Sequence, residues 1–105
     1  TSTPVGDATE AAVLRLVFGT VLDQIPVTST KSMTGHLLTA AGAIEALACL
    51  TAMKHRAIPP TINLDDSDVS LNLVANEPRS HRVDVAVSNS FGFGGSNACL
   101  VLRAV

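Results

Sequence analysis

The stretch Ser29–His36 (STKSMTGH) leads directly into Leu37–Met53 (LLTAAGAIEALACLTAM), and these two segments decide how the chain folds. The second segment is rich in alanine and almost free of charge, which predicts a helix from about Leu37 to Lys54 that is apolar on every side. Such a helix has to be covered on every side, and 105 residues supply little to cover it with. The sequence therefore predicts a larger parent protein or a tight oligomer.

Composition and charge exclude several classes of protein. Seven Lys and Arg residues against nine Asp and Glu residues give a net charge of −2, so there is no electrostatic footprint for nucleic acid or an anionic membrane. The segment Leu37–Met53 is short for a membrane span and carries Glu45, whose carboxylate is costly in lipid. Cys49 and Cys99 lie in apolar runs without CxxC spacing, which is typical of buried thiols in a reducing compartment. We expect a cytoplasmic protein with no nucleic-acid or membrane partner.

The rest of the chain alternates between helical and extended patterns. Asp7, with Glu10 three residues later, is typical of a capping box that begins a first helix, and Gly19 is a natural end for it. Short strands are predicted where Val, Leu, Ile or Ala cluster: Ile25–Ser29, Leu71–Val74, Asp84–Ser88 and Ala98–Arg103. This order of elements suits an α/β layered architecture.

Lys31 and His36 stand five residues apart on a turn of small residues that feeds the long helix, which favours a chemical role. Gly35 allows close backbone approach, and a helix N-terminus favours the neutral imidazole ring, whose N–H can donate to a carbonyl oxygen. An enolate or an oxyanion needs such a donor. The alternative is that His36 is a structural hydrogen-bonding residue.

Glu45 is the only charged residue between Leu37 and Met53, and Lys31 is the nearest basic residue upstream of it. A buried carboxylate needs a partner or must bind a proton. We therefore expect a Lys31–Glu45 ion pair that holds the turn rigid. The alternative is that Glu45 faces solvent.

The run Phe91–Asn97 (FGFGGSN) does not complete a G-x-G-x-x-G nucleotide motif. We interpret it as a tight loop between two strands whose exposed backbone N–H groups could build an oxyanion hole. Phe91 and Phe93, two of the three aromatic residues, would form a pocket wall or a gate, or else a local packing plug. The acidic stretch Asp66–Glu77 lacks the glycine of a calcium loop, and no zinc pattern occurs, so we expect no metal site.

Two motifs, in this order, resemble the β-ketoacyl-[acyl-carrier-protein] synthases, the decarboxylating condensing enzymes of fatty-acid synthesis. They are Lys31–His36 (KSMTGH) and Asn89–Asn97 (NSFGFGGSN). Shorter matches extend the resemblance over essentially the whole chain: Thr1–Pro4, Gly6–Asp7, Phe18–Gly19, Ala40–Gly42 and Pro59–Leu64. The resemblance implies an α/β, thiolase-like layered fold with two similar halves, usually in a homodimer. Residues 1–105 would be part of its C-terminal half.

The resemblance also implies roles for individual residues. His36 would be one histidine of a Cys-His-His triad and would hydrogen-bond the thioester carbonyl of malonyl-carrier protein as CO₂ leaves. Lys31, anchored by Glu45, would support that site electrostatically. The backbone N–H of Phe93 would form half of an oxyanion hole, and its ring would gate the acyl pocket, which Phe91 would help to line.

Thr1 and Thr3 would hydrogen-bond the phosphopantetheine arm of acyl carrier protein, so no further cofactor is implied. The implied partners are acyl carrier protein, the remainder of the ketosynthase chain and a second subunit. The nucleophilic cysteine and the second histidine would lie upstream, and neither Cys49 nor Cys99 matches that cysteine. The 105-residue chain by itself is therefore predicted to be inactive.

The sequence of Met33–Leu38 (MTGHLL) is more similar to that of the discrete bacterial elongation synthases than to that of modular polyketide domains. Two alternatives stay open. One is the ketosynthase of a polyketide system, and the other is a non-catalytic chain-length subunit that pairs with a true synthase.

Overall fold

Helices and short antiparallel strand pairs follow one another in the computed structural model, which describes residues 1–105. The α-helices are α1 (Pro4–Phe18), α2 (Lys31–Thr34) and α3 (Ala41–His55). The strands are β1 (Ala57–Ile58), β2 (Arg79–Ser80), β3 (Val85–Phe91) and β4 (Asn97–Arg103). Short 3₁₀ helices cover Gly19–Gln24, Leu38–Ala40 and Phe93–Gly95.

Helix α1 begins earlier than the sequence pattern predicted. Its N-cap is Thr3 and its first residue is Pro4, so the predicted capping box of Asp7 and Glu10 is wrong. A proline suits the first helical position because its φ is already helical and that position needs no N–H partner. The helix ends at Phe18, and Gly19 follows with φ +56°, which confirms the predicted end.

The long apolar helix is present but starts later than expected. Leu38 has φ +51° and opens a 3₁₀ turn, so the regular helix α3 begins only at Ala41. The Leu38 N–H donates to the ring nitrogen Nδ1 of His36 and not to a helical carbonyl. Lys54 and His55 occupy the last turn of α3, where cations interact favourably with the helix dipole.

Two of the predicted strands are reduced to isolated bridges. Val27 pairs with Leu73, and Thr61 pairs with Ala75, both in parallel orientation. Pro26 has no N–H to donate to a ladder, and Thr28 uses its hydroxyl to bond the Pro59 carbonyl at 2.8 Å. The chain from residue 25 to residue 29 is therefore extended without forming a regular strand.

The C-terminal strand pair is confirmed and is longer than predicted. Strands β3 and β4 form an antiparallel hairpin whose register runs from Val85↔Arg103 to Phe91↔Asn97. Helix α3 packs against β3. At the point of contact, a methyl group built on Gly42 would lie 3.6 Å from the Ser90 hydroxyl oxygen.

The chain covers little of its own apolar surface. Only five of the 105 residues are buried: Leu22, Ala52, Ile58, Pro60 and Val74. Leu47 and Leu50 of α3 are 57% and 51% exposed, and an apolar groove of about 440 Å³ runs beside this helix. The helix is thus left open, in line with the expectation that more than these 105 residues is needed to cover it.

The two cysteines differ in how far they are exposed. Cys49 is half-buried, but Cys99 is exposed, so the prediction of two buried thiols is wrong for Cys99, which lies on the uncovered strand β4. None of the helices combines the length and the apolar character that crossing a bilayer would need.

Candidate functional site

The turn that carries Lys31 and His36 is built from a very short helix. Helix α2 has four residues, and Gly35 ends it with φ +71° and ψ 177°, a conformation that is essentially restricted to glycine. The Gly35 N–H bonds the Lys31 carbonyl at 2.9 Å. Gly35 therefore turns the chain away from the direction of α2, and His36 lies outside that helix.

His36 is exposed, and its ring has a defined hydrogen-bond partner. The backbone N–H of Leu38 donates to Nδ1 at 3.0 Å. An acceptor nitrogen carries no proton, so the neutral ring holds its proton on Nε2. The ring thus has a free N–H donor, which is the group that a developing oxyanion needs.

Lys31 and Glu45 form the ion pair that the sequence predicted. The Lys31 ammonium bonds the Glu45 carboxylate, and the two side chains are 24% and 15% exposed. The pair joins α2 to the second turn of α3. It holds one positive charge within a few residues of His36 and fixes that charge to the long helix.

Glu10 is a third charged residue of this cluster, although its sequence context predicted a capping role for it. Burial raises the pKa of the Glu10 carboxyl above its ordinary value of 4.5, against the opposing effect of the N-terminal ammonium group and of Lys31. Glu45 lies near enough to raise that pKa further. A sequence signal did exist, because Glu10 falls at the i and i+4 spacing of Leu14 and Phe18 on the inner face of α1.

The loop that joins β3 to β4 holds both candidate phenylalanines. Phe91 is 54% exposed and Phe93 is fully exposed. Gly94 and Gly95 have φ of +77° and +82°, and the Gly92 N–H bonds the Ser96 carbonyl at 2.6 Å, which closes the loop. Phe93 is the first residue of a 3₁₀ turn, so the turn itself does not use its N–H. That N–H is available to a ligand.

The fold brings the His36 turn and the Phe93 loop to the same end of α3. Gly42 lies in the first turn of α3, and a methyl group built on it would come within 3.6 Å of the hydroxyl of Ser90, the residue next to the end of β3. His36 precedes this first turn by a few residues, and the Phe93 loop follows Ser90 directly. Two candidate hydrogen-bond donors, the His36 Nε2–H and the Phe93 N–H, therefore come from neighbouring parts of the surface.

Thr1 and Thr3 lie just before α1, and Thr3 is the N-cap of that helix. Their hydroxyl oxygens are 3.1 Å apart, and both residues are exposed. A side chain at Gly6 would collide with the Thr3 hydroxyl, so glycine at this position lets Thr3 fold over the first turn. The hydroxyl pair is open to a polar ligand.

The other histidines and the cysteines take no part in this cluster. His55 and His81 are exposed. Burial, assisted by the negative charge of Glu45, raises the pKa of the Cys49 thiol above its ordinary value of 9.0 and keeps it protonated at neutral pH. No group of three or more His, Cys, Asp or Glu side chains is placed to hold a metal ion.

Comparison with known proteins places this chain in one family. The family described as "Beta-ketoacyl synthase, C-terminal domain" matches residues 1–65. The chain is 48% identical, over its whole length, to the 3-oxoacyl-[acyl-carrier-protein] synthase 2 of Coxiella burnetii, of which it covers 26%. It is 46% identical to the Staphylococcus aureus protein of the same name, again over 26% of that protein and 98% of this chain.

Two solved structures have the same fold over nearly all of this chain. One is a type II polyketide ketosynthase in complex with its acyl-carrier protein, with a TM-score of 0.94, 38% identity, and coverage of 99% of this chain and 26% of that one. The other is the ishigamide ketosynthase/chain length factor, with a TM-score of 0.93, 38% identity, and coverage of 100% and 26%. The fold is thus the thiolase-like α/β fold that the sequence predicted.

The chain spans about a quarter of the length of the relatives that it matches. The matched family is defined by a C-terminal domain, and its match to residues 1–65 includes Lys31–His36. Asn89–Asn97 lies beyond that match but within the alignment to the Coxiella burnetii relative. The chain belongs to the β-ketoacyl synthase family and represents part of the C-terminal half of its fold.

Proposed function

We propose that this chain is the C-terminal part of a 3-oxoacyl-[acyl-carrier-protein] synthase, which in the whole protein catalyses the decarboxylative Claisen condensation of fatty-acid elongation. The 48% identity to a synthase of that name, running through both site motifs, is the observation that carries the proposal. The placement of the His36 turn and the Phe93 loop at one end of α3 supports it further.

The proposed reaction begins with an acyl group held as a thioester on a cysteine outside this chain. Malonyl-carrier protein then binds, and its C–C bond to the carboxylate breaks with release of CO₂. The electron pair moves to the thioester, giving an enolate whose oxygen accepts a hydrogen bond from His36 Nε2–H. The enolate carbon attacks the acyl carbonyl, the new C–C bond forms, and the cysteine leaves as thiolate.

The remaining site residues support these steps. The backbone N–H of Phe93 donates a hydrogen bond to the oxyanion that forms when the acyl carbonyl is attacked, and no proton is transferred. Lys31 lowers the energy of the negative charge that decarboxylation builds, and Glu45 keeps that ammonium in place. The rings of Phe91 and Phe93, both largely exposed here, form the wall and the gate of the acyl pocket.

The substrates arrive on acyl carrier protein, whose phosphopantetheine arm hydrogen-bonds the hydroxyls of Thr1 and Thr3. No other cofactor takes part in this proposal. A relative of the same fold is known in complex with an acyl-carrier protein, which supports that partner. The whole protein acts as a homodimer in the cytoplasm, and the rest of its chain covers the open faces of α3.

A polyketide ketosynthase, or a chain-length subunit without activity, is the second candidate. One solved relative is a type II polyketide ketosynthase and the other is a ketosynthase/chain length factor, both at 38% identity. The higher identity to 3-oxoacyl-[acyl-carrier-protein] synthases and the sequence of Met33–Leu38 favour fatty-acid elongation. Extension of the carried acyl chain by two carbons with release of CO₂ supports an active synthase, and a protein with no CO₂ release supports the chain-length subunit.

The test is His36→Ala in the full-length protein, with His55→Ala as the matched control because His55 is exposed at the far end of α3. Loss of one oxyanion donor typically lowers the rate by about 10²–10³-fold. CO₂ release from malonyl-carrier protein should fall by that factor, while labelling of the enzyme by a radioactive acyl donor should stay substantial. CO₂ release at the parental rate would mean that His36 is only structural and that this mechanism is wrong.

A further inference from the structure

Hydroxyl groups tie the turn before α2 to a distant extended segment. The Ser29 N–H donates to Thr61 Oγ1 at 2.9 Å, and the Ile62 N–H donates to Ser32 Oγ at 2.9 Å. Ser32 Oγ in turn donates to the Ser29 carbonyl at 3.2 Å. These bonds form a closed ring between residues 29–32 and residues 61–62, and all of them are partly buried. We call the hydroxyls of Thr61 and Ser32 the hydroxyl clamp.

Helix α2 depends on such outside support because it is too short to be stable alone. It has four residues, whereas helices well above that length are marginal in water by themselves. Its N-cap, Thr30, makes no side-chain capping bond. The position of α2, and with it the positions of Lys31 and His36, is therefore set by its outside contacts, which are the Lys31–Glu45 pair and the bonds that hold its start.

Thr61 is a fixed reference point for this purpose. Its N–H donates to the Val74 carbonyl at 2.8 Å, and its carbonyl accepts from the Asn76 N–H at 2.8 Å. Val74 is 1% exposed and is bonded in turn to Val27, so the backbone behind Thr61 is anchored in the small core. The Thr61 hydroxyl accepts the Ser29 N–H and so connects Ser29 to this anchored backbone.

We propose that Thr61 is a positioning residue for decarboxylation, which through Ser29 and the start of α2 holds Lys31 and His36 at their working positions. The proposal rests on the function proposed above but concerns a residue outside its catalytic groups. Because α2 is held by few bonds, the loss of one of them loosens the turn without unfolding the rest of the chain.

The test uses three variants of the full-length protein. Thr61→Val removes the hydroxyl and keeps a β-branched side chain, whereas Thr61→Ser keeps the hydroxyl and should restore the parental behaviour. Thr51→Val is the matched control, because the Thr51 hydroxyl bonds only the Leu47 carbonyl within α3. Hydrogen exchange of the α2 amides is measured together with CO₂ release and acyl labelling.

In Thr61→Val we expect the amides of Met33, Thr34 and Gly35 to exchange about 10-fold faster, as the loss of one buried hydrogen bond implies. CO₂ release should fall by a similar factor of about 10, while acyl labelling should change less than about twofold. Thr61→Ser and Thr51→Val should match the parent in all three measurements.

Unchanged exchange of the α2 amides in Thr61→Val would overturn the proposal, whatever the activities are. Faster exchange with parental CO₂ release would also overturn it, because the clamp would then hold the turn without serving the reaction. A parent protein that releases no CO₂ would refute the proposed function instead, and Thr61 would then be a structural residue with no part in decarboxylation.

Discussion

The Lys31–Glu45 ion pair allows the most direct test of how the site is held together. We expect Glu45→Gln to destabilise the full-length protein, because it leaves the Lys31 charge without its partner. An exposed pair contributes at most about 1 kcal/mol, and breaking a fully buried pair costs about 3–5 kcal/mol. With 24% and 15% exposure the pair lies nearer the buried limit, while Glu10 supplies a second, more distant negative charge. The expected loss is therefore about 2 kcal/mol.

A double-mutant cycle separates the pair from its surroundings. Lys31→Met and Glu45→Gln are made singly and together, and the free energy of unfolding is measured by denaturant titration. The double variant should be more stable than the sum of the two single losses predicts, by about 1–2 kcal/mol. Removing both charges leaves no unpaired ion, so stability partly returns.

Activity should not return with stability. The double variant lacks the positive charge that decarboxylation requires in the proposed mechanism, so CO₂ release should stay low in all three variants. A coupling energy below about 0.5 kcal/mol would refute the reasoning that the pair is buried and structural. Parental CO₂ release in the double variant would refute the electrostatic role of Lys31.

Three further predictions concern a backbone position, a buried carboxyl and the open helix. Gly35→Ala should lower the free energy of unfolding by about 1–3 kcal/mol and slow CO₂ release, because φ +71° strains any other residue. Gly42→Ala should leave the free energy of unfolding and CO₂ release unchanged. Equal effects in the two variants would contradict this prediction. Glu10→Gln should become more stable relative to the parent as pH rises from 4.5, because burial raises the pKa of the Glu10 carboxyl and the unfolded chain therefore loses this proton at a lower pH than the folded chain. Denaturant titrations of both proteins from about pH 4 to about pH 8 check this. If the stability advantage of the variant shrank as pH rose, the prediction would have the wrong sign. The isolated 105-residue chain, with five buried residues, should bind a hydrophobic dye and melt without a sharp transition; a cooperative melt without dye binding would count against it.

The elements that were predicted well are those whose sequence signal is long or chemically singular. Helix α3 was found from its unbroken apolar run, and the β3–β4 hairpin from two Val- and Leu-rich runs around a glycine loop. The Lys31–Glu45 pair was found because Glu45 is the only charged residue in the apolar run Leu37–Met53, and a buried carboxylate needs a partner. The roles of His36, Phe93, Thr1 and Thr3 stay predictions until the variants are measured.

Two misses concern local structure, and two concern contacts between residues that are distant in the sequence. Leu38 adopts φ +51°, and its N–H is used by the ring of His36 two residues earlier. The start of α1 was placed at Asp7 although Thr3 and Pro4 carry the signal of an N-cap followed by a first-turn proline. Glu10 was assigned to a cap, and only the folded chain shows that it lies near Lys31. The Thr61 contact with Ser29 joins residues 32 apart in the sequence, which no periodicity reveals.

The close packing of Gly42 against Ser90 means that the size of the residue at position 42 sets the distance between the first turn of α3 and the end of β3. Alanine at position 42 would rest on the Ser90 oxygen at 3.6 Å without displacing it, but a larger side chain would act as a wedge between helix and strand. The wedge would move the His36 turn and the Phe93 loop apart while leaving every group of both intact. A graded series of substitutions at this one position would then change the width of the site in small steps, while His36 and Phe93 keep all of their own groups.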